Sequence, residues 1–396
     1  MKTLALHAGS MFDGFSLSDP ATVYVAGDRI VRVDREGALP ADGTALVDFG
    51  TEACLLPGLI DTHVHLAFDA GPDPVASLAA MDDETLLAHM RDAARSALDA
   101  GITTLRDLGD RDFLSLKLVE ELAGRPELGP EILPAGPPLT VHGGHCHFLG
   151  GEVEGAEALR AAVRERHARG CRVIKIMASG GHMTPDSVPP HVSQYSLADL
   201  RVVVDEAHGL GLPVAAHVHG VQAVQDAVEA GVDSLEHLTF LTSDGAGPDE
   251  GLLKTVADSG SFVSLTVGSD PGKAVQPHGD LLKHVETMRK AWTELRALGA
   301  DVVVGSDAGI APFKPHDVLP HGVRDLQGFA GMTPLEALTA VTSVAARACR
   351  VEGRKGQIAP GADADILAVH GNPVADPAAL FAIEAVFRAG VQVRGR

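Results

Sequence analysis

The alternation of short apolar strands with amphipathic helical segments between residues 58 and 352 restricts the fold of this chain more than any other feature. Residues 102–107 have a strand pattern, and the segment before them places Leu86 and Leu98 on one helical face. The same succession recurs in residues 196–217, 222–237 and 288–307. Such alternation is typical of a parallel sheet, and about eight strands favour a closed (β/α)8 TIM barrel of the α/β class.

Two helix starts carry recognisable capping residues. Ser196 and Asp199 resemble a capping box before an apolar helical face. Thr333, followed by Pro334 and Glu336, predicts the start of a last long helix. Both helices belong to the alternating central region.

The two chain ends lack a helical period and contain short β-like runs separated by Gly- and Asp-rich turns. The runs are residues 4–7, 22–25, 29–33, 364–369 and 385–391. We predict that they pair into one small β-sandwich domain beside the barrel. The predicted organisation is residues 1–57 and 353–396 for the two parts of the β-sandwich domain, and residues 58–352 for the barrel.

The acidic balance of the chain bears on its partners. A formal net charge of −21 and a pI of about 5.2 argue against a nucleic-acid or anionic-membrane partner. No run approaches 18 apolar residues, and the first residues lack the apolar core of a secretory signal, so we expect a soluble, cytoplasmic protein. The four cysteines are scattered without C-x-x-C spacing, which is typical of reduced thiols.

Histidine pairs separated by one residue occur three times, at positions 63/65, 145/147 and 217/219. In an extended strand, residues i and i+2 project from the same face, so the imidazoles of one pair converge on one point. Two neutral imidazoles can hold a divalent metal. In a chain with 19 histidines, about one such pair is expected by chance, so a pair alone is a weak indicator.

Six chemically reactive side chains fall at the predicted carboxyl ends of barrel strands, the face on which barrel active sites are built. They are His63 and His65 after strand 1, Lys175 in strand 4, His217 after strand 5, His237 after strand 6 and Asp307 after strand 8. A charged group inside an apolar strand is costly unless it is paired or bound to metal, so Lys175 needs a partner. Any one of the six is compatible with a packed core role, whereas six aligned positions indicate a metal site.

This ligand order, together with residues 56–65 and the C-terminal residues 361–373, resembles the amidohydrolase superfamily over essentially the whole chain. In the branch that carries a lysine on strand 4, that amine is carboxylated by carbon dioxide and the carbamate bridges two divalent metals. The resemblance implies that Lys175 is this bridge. It also implies that His63, His65 and Asp307 hold one metal, and that His217 and His237 hold the other. Zinc suits such an imidazole-rich set best, although cobalt, manganese or iron could replace it.

The resemblance also implies a reaction. Two cations would lower the pKa of a bridging water and generate a hydroxide, and one of them would polarise the scissile carbonyl. Asp307 would accept the proton of the nucleophile and deliver it to the leaving nitrogen. The expected activity is hydrolysis of an amide-type C–N bond.

Within the superfamily, residues 143–145, 175–185, 194–196 and 215–220 resemble the imidazolonepropionase-related group, which includes Xaa-Pro dipeptidases and carboxypeptidase-like enzymes. By that resemblance, His145 and Tyr195 would contact the carbonyl or carboxylate of the substrate. The chain departs from the pattern at His182, at residues 186–191 and at His142, and we expect these positions to shape the substrate pocket. The cluster of His142, His145, Cys146 and His147 could instead form a separate metal site, although no distant cysteines complete a zinc pattern.

Several functions are therefore compared. The leading hypothesis is a binuclear metal hydrolase of dipeptides, Xaa-Pro in particular, or of N-acyl amino acids. The alternative is the same chemistry on a cyclic amide, carbamate, urea or xenobiotic amide. A mononuclear deaminase fits less well because such sites do not use a bridging lysine, and a scaffold protein without metal is disfavoured by the full ligand set. Since relatives are often multimeric, a homo-oligomer is compatible with the sequence.

Overall fold

A computed structural model describes residues 3–40, 43–184, 186–273 and 281–395 of the chain. Short strands at both ends enclose a central region in which strands and helices alternate. Among the helices of these ranges, none is both long enough and apolar enough to span a membrane.

The strands and helices follow the predicted alternation. The strands are β1 (Thr3–Ala8), β2 (Ser10–Phe12), β3 (Leu17–Ser18), β4 (Ala21–Ala26), β5 (Arg29–Asp34), β6 (Ala45–Asp48), β7 (Ala53–Pro57), β8 (Leu59–Val64), β9 (Ile102–Asp107), β10 (Glu131–Pro134), β11 (Ile174–Met177), β12 (Val214–Gly220), β13 (Ser234–Thr242), β14 (Gly245–Ala246), β15 (Phe262–Leu265), β16 (Val302–Val304), β17 (Ile366–His370), β18 (Ile383–Arg388) and β19 (Val391–Gly395). The α-helices are α1 (Pro74–Ala80), α2 (Asp83–Asp99), α3 (Leu114–Leu122), α4 (Ala156–Arg169), α5 (Leu197–Gly209), α6 (Val221–Ala230), α7 (Glu250–Asp258), α8 (Leu281–Ala297), α9 (Leu319–Ala330), α10 (Pro334–Thr339) and α11 (Ser343–Ala348).

Eight parallel strands of the described chain form the central sheet. They run in the order β10-β9-β8 in one arc and β11-β12-β13-β15-β16 in the other. Parallel bridges join the arcs at both seams, between Val64 and Ala308 and between Leu139 and Ile176. The sheet therefore closes on itself, which confirms the predicted (β/α)8 barrel and brings the carboxyl ends of all its strands to one face.

Strands from both chain ends form the second unit, a pair of small sheets. One sheet has the order β5-β4-β1-β6, and the other has the order β19-β18-β17-β7-β2-β3. Strands β7 and β17 pair antiparallel, with Pro57 opposite Ile366, so the second sheet joins the two ends of the chain. Leu6, Ile30 and Phe387 lie in the shared apolar core of this unit. The predicted β-sandwich built from both chain ends is confirmed.

The capping predictions have different outcomes. Ser196 forms a complete capping box with Asp199 at the start of α5, as predicted. Thr333 and Glu336 form another at the start of α10, but this helix ends at Thr339. After Thr339 the backbone carbonyls bond to barrel strands. The Ala340 carbonyl accepts from the Val304 amide, and the Val341 carbonyl accepts from the Ile60 amide. The predicted long helix is therefore wrong: contacts with two barrel strands interrupt it, and α11 follows.

Candidate metal centre

Strand β8 and the turn after β16 bring His63, His65 and Asp307 together. The Nε2 atoms of His63 and His65 lie 3.3 Å apart, as expected for alternate positions at a strand end. Asp307 Oδ1 lies 3.6 Å from His63 Nε2 and 3.4 Å from His65 Nε2. All three side chains are buried. We call this set the first ligand group; its three ligand atoms lie within 4.8 Å of one another.

Strands β12 and β13 form a second ligand group of His217, His219 and His237, with ligand atoms within the same 4.8 Å limit. The His217 and His237 ring centroids are 4.5 Å apart, and His219 stacks on His237 at 4.8 Å. The two groups are adjacent, because the rings of His63 and His237 are 5.1 Å apart. Five imidazoles and one carboxylate thus converge on one end of the barrel.

Lys175 lies beside this convergence. Its Nζ atom is 3.4 Å from His63 Nε2, and the side chain is almost completely buried in β11. Burial lowers the pKa of Lys175 to about 8, although the nearby carboxylates of Glu236 and Asp307 oppose that shift. A neutral amine is the form that can react with carbon dioxide, so the surroundings of Lys175 suit carboxylation.

The imidazoles are held in their neutral form. Burial lowers the pKa of His65 to about 3, and it lowers the pKa values of His63, His217, His219 and His237 well below the ordinary range. Nearby cationic or potentially cationic groups, Lys175 among them, act in the same direction. Neutral imidazole is the metal-binding form.

Each imidazole also has one ring nitrogen on an oxygen partner, which orients the other nitrogen. In the first ligand group, His63 Nδ1 lies 2.9 Å from the Glu236 carboxylate and His65 Nδ1 lies 3.2 Å from the Gly109 carbonyl. In the second, the partners are the Gly180 carbonyl for His217, the Thr239 hydroxyl for His219 and the Thr266 hydroxyl for His237. This is the arrangement of metal-ligating histidines.

The donor set therefore fits a pair of divalent cations. Because the Nδ1 atoms of His63 and His65 face acceptors, their Nε2 atoms are left as bare lone pairs 3.3 Å apart beside the carboxylate of Asp307. Three electron-rich atoms repel one another at such distances unless a cation lies between them. The nitrogen-rich composition suits zinc or a neighbouring transition metal.

Backbone geometry is unusual at two of the ligands. His237 has a φ of 71° and Asp307 a φ of 57°, both in the left-handed region that ordinary side chains rarely adopt. Such conformations cost free energy and cluster at functional sites. Close packing also excludes a side chain at Gly305, two residues before Asp307, because a Cβ there would lie 2.3 Å from the His63 Cβ.

The carboxyl group of Asp307 is buried, and its pKa is shifted. Burial raises the pKa of Asp307 to about 6, and the ammonium of Lys314 opposes the shift. Lys314 itself is buried and donates to the Thr266 and Ser306 carbonyls. A carboxyl group whose pKa lies near neutrality can exchange a proton during turnover.

The structure separates the predicted substrate contacts into two kinds. His145 and His182 lie at the second ligand group: the His145 ring is 4.6 Å from His217, and the His182 ring is 5.4 Å from His219. The buried Tyr195 hydroxyl donates to the Val153 carbonyl at 2.8 Å.

His142 is exposed, and its ring lies 2.8 Å from Glu154. Within the described ranges, neither ligand group includes His142, Cys146 or His147. His145 faces Thr184 and His217 instead. The geometry therefore gives the separate metal site no support.

Three residues of the site were missed by the sequence argument. His219 belongs to a histidine pair, and the strand spacing that converges His63 on His65 applies equally to it. Glu236 and Arg106 lie inside strand patterns, where a buried charge is itself a signal, as it was for Lys175. What could not be read from the chain is that these two charges meet, since they come from different strands.

Residues 54–393 match the model of the amidohydrolase family. The chain belongs to this family. It is accordingly a hydrolase acting on carbon–nitrogen bonds, and the predicted resemblance is confirmed.

This amidohydrolase is 29% identical over 352 residues to the ochratoxinase of Aspergillus niger, which covers 81% of this chain and 71% of the relative. It is 26% identical over 400 residues to an imidazolonepropionase of Cereibacter sphaeroides, with 91% of each chain covered. A solved prolidase structure, complexed with N-methylphosphonate-L-proline, superimposes with a TM-score of 0.85 at 28% identity and covers 100% of both chains.

Proposed function

We propose that this amidohydrolase uses two divalent metals, most simply zinc, to hydrolyse an amide bond in dipeptides of the Xaa-Pro type or in N-acyl amino acids. The observation that carries the proposal is the convergence of two histidine groups on Lys175, whose pKa is lowered by burial. His63, His65 and Asp307 would hold one metal, and His217 and His237 would hold the other. Carboxylated Lys175 would bridge them.

The metals would supply an activated water as nucleophile and polarise the scissile carbonyl. Asp307, the carboxylate of the first ligand group, would take the proton of the attacking water and pass it to the leaving nitrogen. His145, whose ring lies 4.6 Å from that of His217, would donate a hydrogen bond to the carbonyl oxygen as negative charge develops there. The buried side chains around the centre keep bulk water from these transfers.

Two relatives support different substrate classes. The solved prolidase carries a proline derivative, which favours a substrate with a free carboxylate. The sequence relative named ochratoxinase favours the alternative, in which the same mechanism acts on a xenobiotic amide, or on a cyclic amide, carbamate or urea. His182, whose ring lies 5.4 Å from that of His219, would contact the substrate, and it differs from the dipeptidase pattern.

Amine release by metal-loaded, bicarbonate-treated enzyme tests the proposal. The panel contains Xaa-Pro dipeptides, other dipeptides and N-acyl amino acids, with carbamates, ureas, lactams and ochratoxin alongside. Turnover confined to substrates with a free C-terminal carboxylate would support the peptidase assignment. Hydrolysis of neutral amides alone would select the alternative. If no member were hydrolysed faster than by the Asp307→Asn variant, the proposal would be wrong.

A further inference from the structure

A completely buried ion pair lies on the inner side of the first ligand group. Arg106 comes from β9 and Glu236 from β13, and Arg106 Nη2 donates to Glu236 Oε1 at 2.9 Å. The Ser234 hydroxyl donates to the same oxygen at 2.7 Å. Two opposite charges this deep in a barrel carry a large desolvation cost, so their presence calls for a purpose besides packing.

The other oxygen of Glu236 faces the metal centre. Glu236 Oε2 lies 2.9 Å from His63 Nδ1. By accepting a hydrogen bond, this oxygen can keep the proton of the neutral imidazole on Nδ1. That assignment leaves His63 Nε2 without a proton and turned toward His65, Asp307 and Lys175. A carboxylate partner also makes an imidazole a stronger electron donor.

Arg106 links the carboxylate to the strand that carries the ligand. Its Nε donates to the Thr62 carbonyl at 2.6 Å, one residue before His63, while Nη2 holds Glu236. The guanidinium therefore sets the distance between the β8 backbone and the carboxylate. The planar geometry of the guanidinium makes that spacing rigid.

This connection distinguishes His63 from the other site histidines. His65 and His217 have carbonyl partners, and His219 and His237 have hydroxyl partners. Within the described ranges, His63 is the site imidazole whose hydrogen-bond partner is a buried carboxylate. The first ligand group therefore has a second carboxylate beside it, that of Glu236, in addition to the carboxylate of Asp307.

We propose that Glu236, clamped by Arg106, is a positioning residue that fixes the tautomer and orientation of His63 and thereby sets the affinity of the first ligand group for its metal. The inference rests on the proposed function only in requiring that the first group binds a metal. A purely structural ion pair would affect folding and both metals equally. A positioning residue affects the first metal selectively.

Titration with a coloured chelator as competitor measures the two metal dissociation constants. His63→Asn and His237→Asn identify which constant belongs to which group. Glu236→Gln loses the charge, and its one carbonyl oxygen can accept either from Arg106 and Ser234 or from His63, but not from both sides. The double variant Arg106→Met/Glu236→Met replaces the pair with apolar side chains, a change that buried ion pairs often tolerate. Glu206→Gln is the matched control, because it breaks the surface ion pair with Arg164.

We expect the double variant to lower the affinity for the first metal by about 10- to 100-fold. Its affinity for the second metal should stay within about threefold of the wild-type value. Glu236→Gln is expected to give a smaller loss at the first metal, and Glu206→Gln none. Wild-type affinity at the first metal in a folded double variant would overturn the proposal, as would equal losses at both metals. If the double variant does not fold, Glu236→Gln decides by the same two criteria. Wild-type enzyme that binds two metals but hydrolyses no substrate would refute the proposed function and leave this inference standing.

Discussion

The two ligand groups use the same histidine spacing in different electrostatic surroundings. The first group includes the carboxylate of Asp307 and is supported from below by Glu236. The second consists of three neutral imidazoles whose partners are a carbonyl and two hydroxyls. Since a cation is attracted by nearby negative charge, the first group can bind a metal on its own. In the proposed centre, the second group would take its negative charge from Lys175, and only once that amine is carboxylated.

Replacement of the bridge is the strongest test of this difference. In Lys175→Ala we expect the second metal to be lost and the first retained, because only the second group depends on the carbamate for charge. Turnover should fall by at least about 10³-fold, since metal polarisation supplies several kcal/mol of transition-state stabilisation. Metal content by mass spectrometry and the rate of amine release measure both effects. Two tightly bound metals with full activity would show that no bridge exists.

Asp307 tests the proton-transfer role within the first group. Asp307→Asn keeps an oxygen ligand but cannot accept a proton, so we expect metal retention with turnover lowered about 10³-fold. Steady-state kinetics at matched metal occupancy measure this effect. Retained turnover would transfer the acid–base role to another group.

His145 lies on the side of the second group, and we expect it to affect the reaction without affecting metal content. His145→Ala should lower kcat by about 10²-fold, the usual cost of removing an oxyanion donor. His370→Ala is the control: this histidine at the end of β17 is exposed and paired with Glu384, and its replacement should change kcat by less than about twofold. Equal effects in the two variants would contradict the assignment of His145.

The proposed dependence of the second ligand group on Lys175 also predicts that the reactivation rate of metal-free enzyme varies with pH. Burial lowers the pKa of Lys175 to about 8, so the neutral amine fraction increases about tenfold per pH unit below 8 and levels off above it. Metal-free enzyme should therefore regain activity faster as pH rises to 8, where half of the amine is neutral, and gain at most about twofold beyond. The measurement is the initial reactivation rate at constant dissolved carbon dioxide with added metal. A rate that still rises about tenfold per pH unit between pH 8 and 10 would indicate an ordinary, exposed lysine.

Tyr195 shows a limit of reading contacts from a pattern. By resemblance it contacts the substrate, yet its hydroxyl already donates to the Val153 carbonyl. The predicted substrate role remains a prediction. His145, which has the same predicted role, does lie at the second ligand group.

The barrel, the two-ended β unit and the carboxyl-end location of His63, His65 and Lys175 could be predicted from the sequence alone. They depend on local periodicity and on the rule that parallel strands end on one face, both of which are properties of short segments. Each strand therefore carries its own information about which side chains reach the site.

Only the tertiary structure decided that Arg106 and Glu236 meet beneath His63 and that the last helix ends at Thr339. Arg106 and Glu236 are 130 positions apart in the chain, and the helix is interrupted by contacts from distant strands. The physical reason is that a buried charge or carbonyl must find a partner, and which partner it finds depends on the closure of the whole barrel.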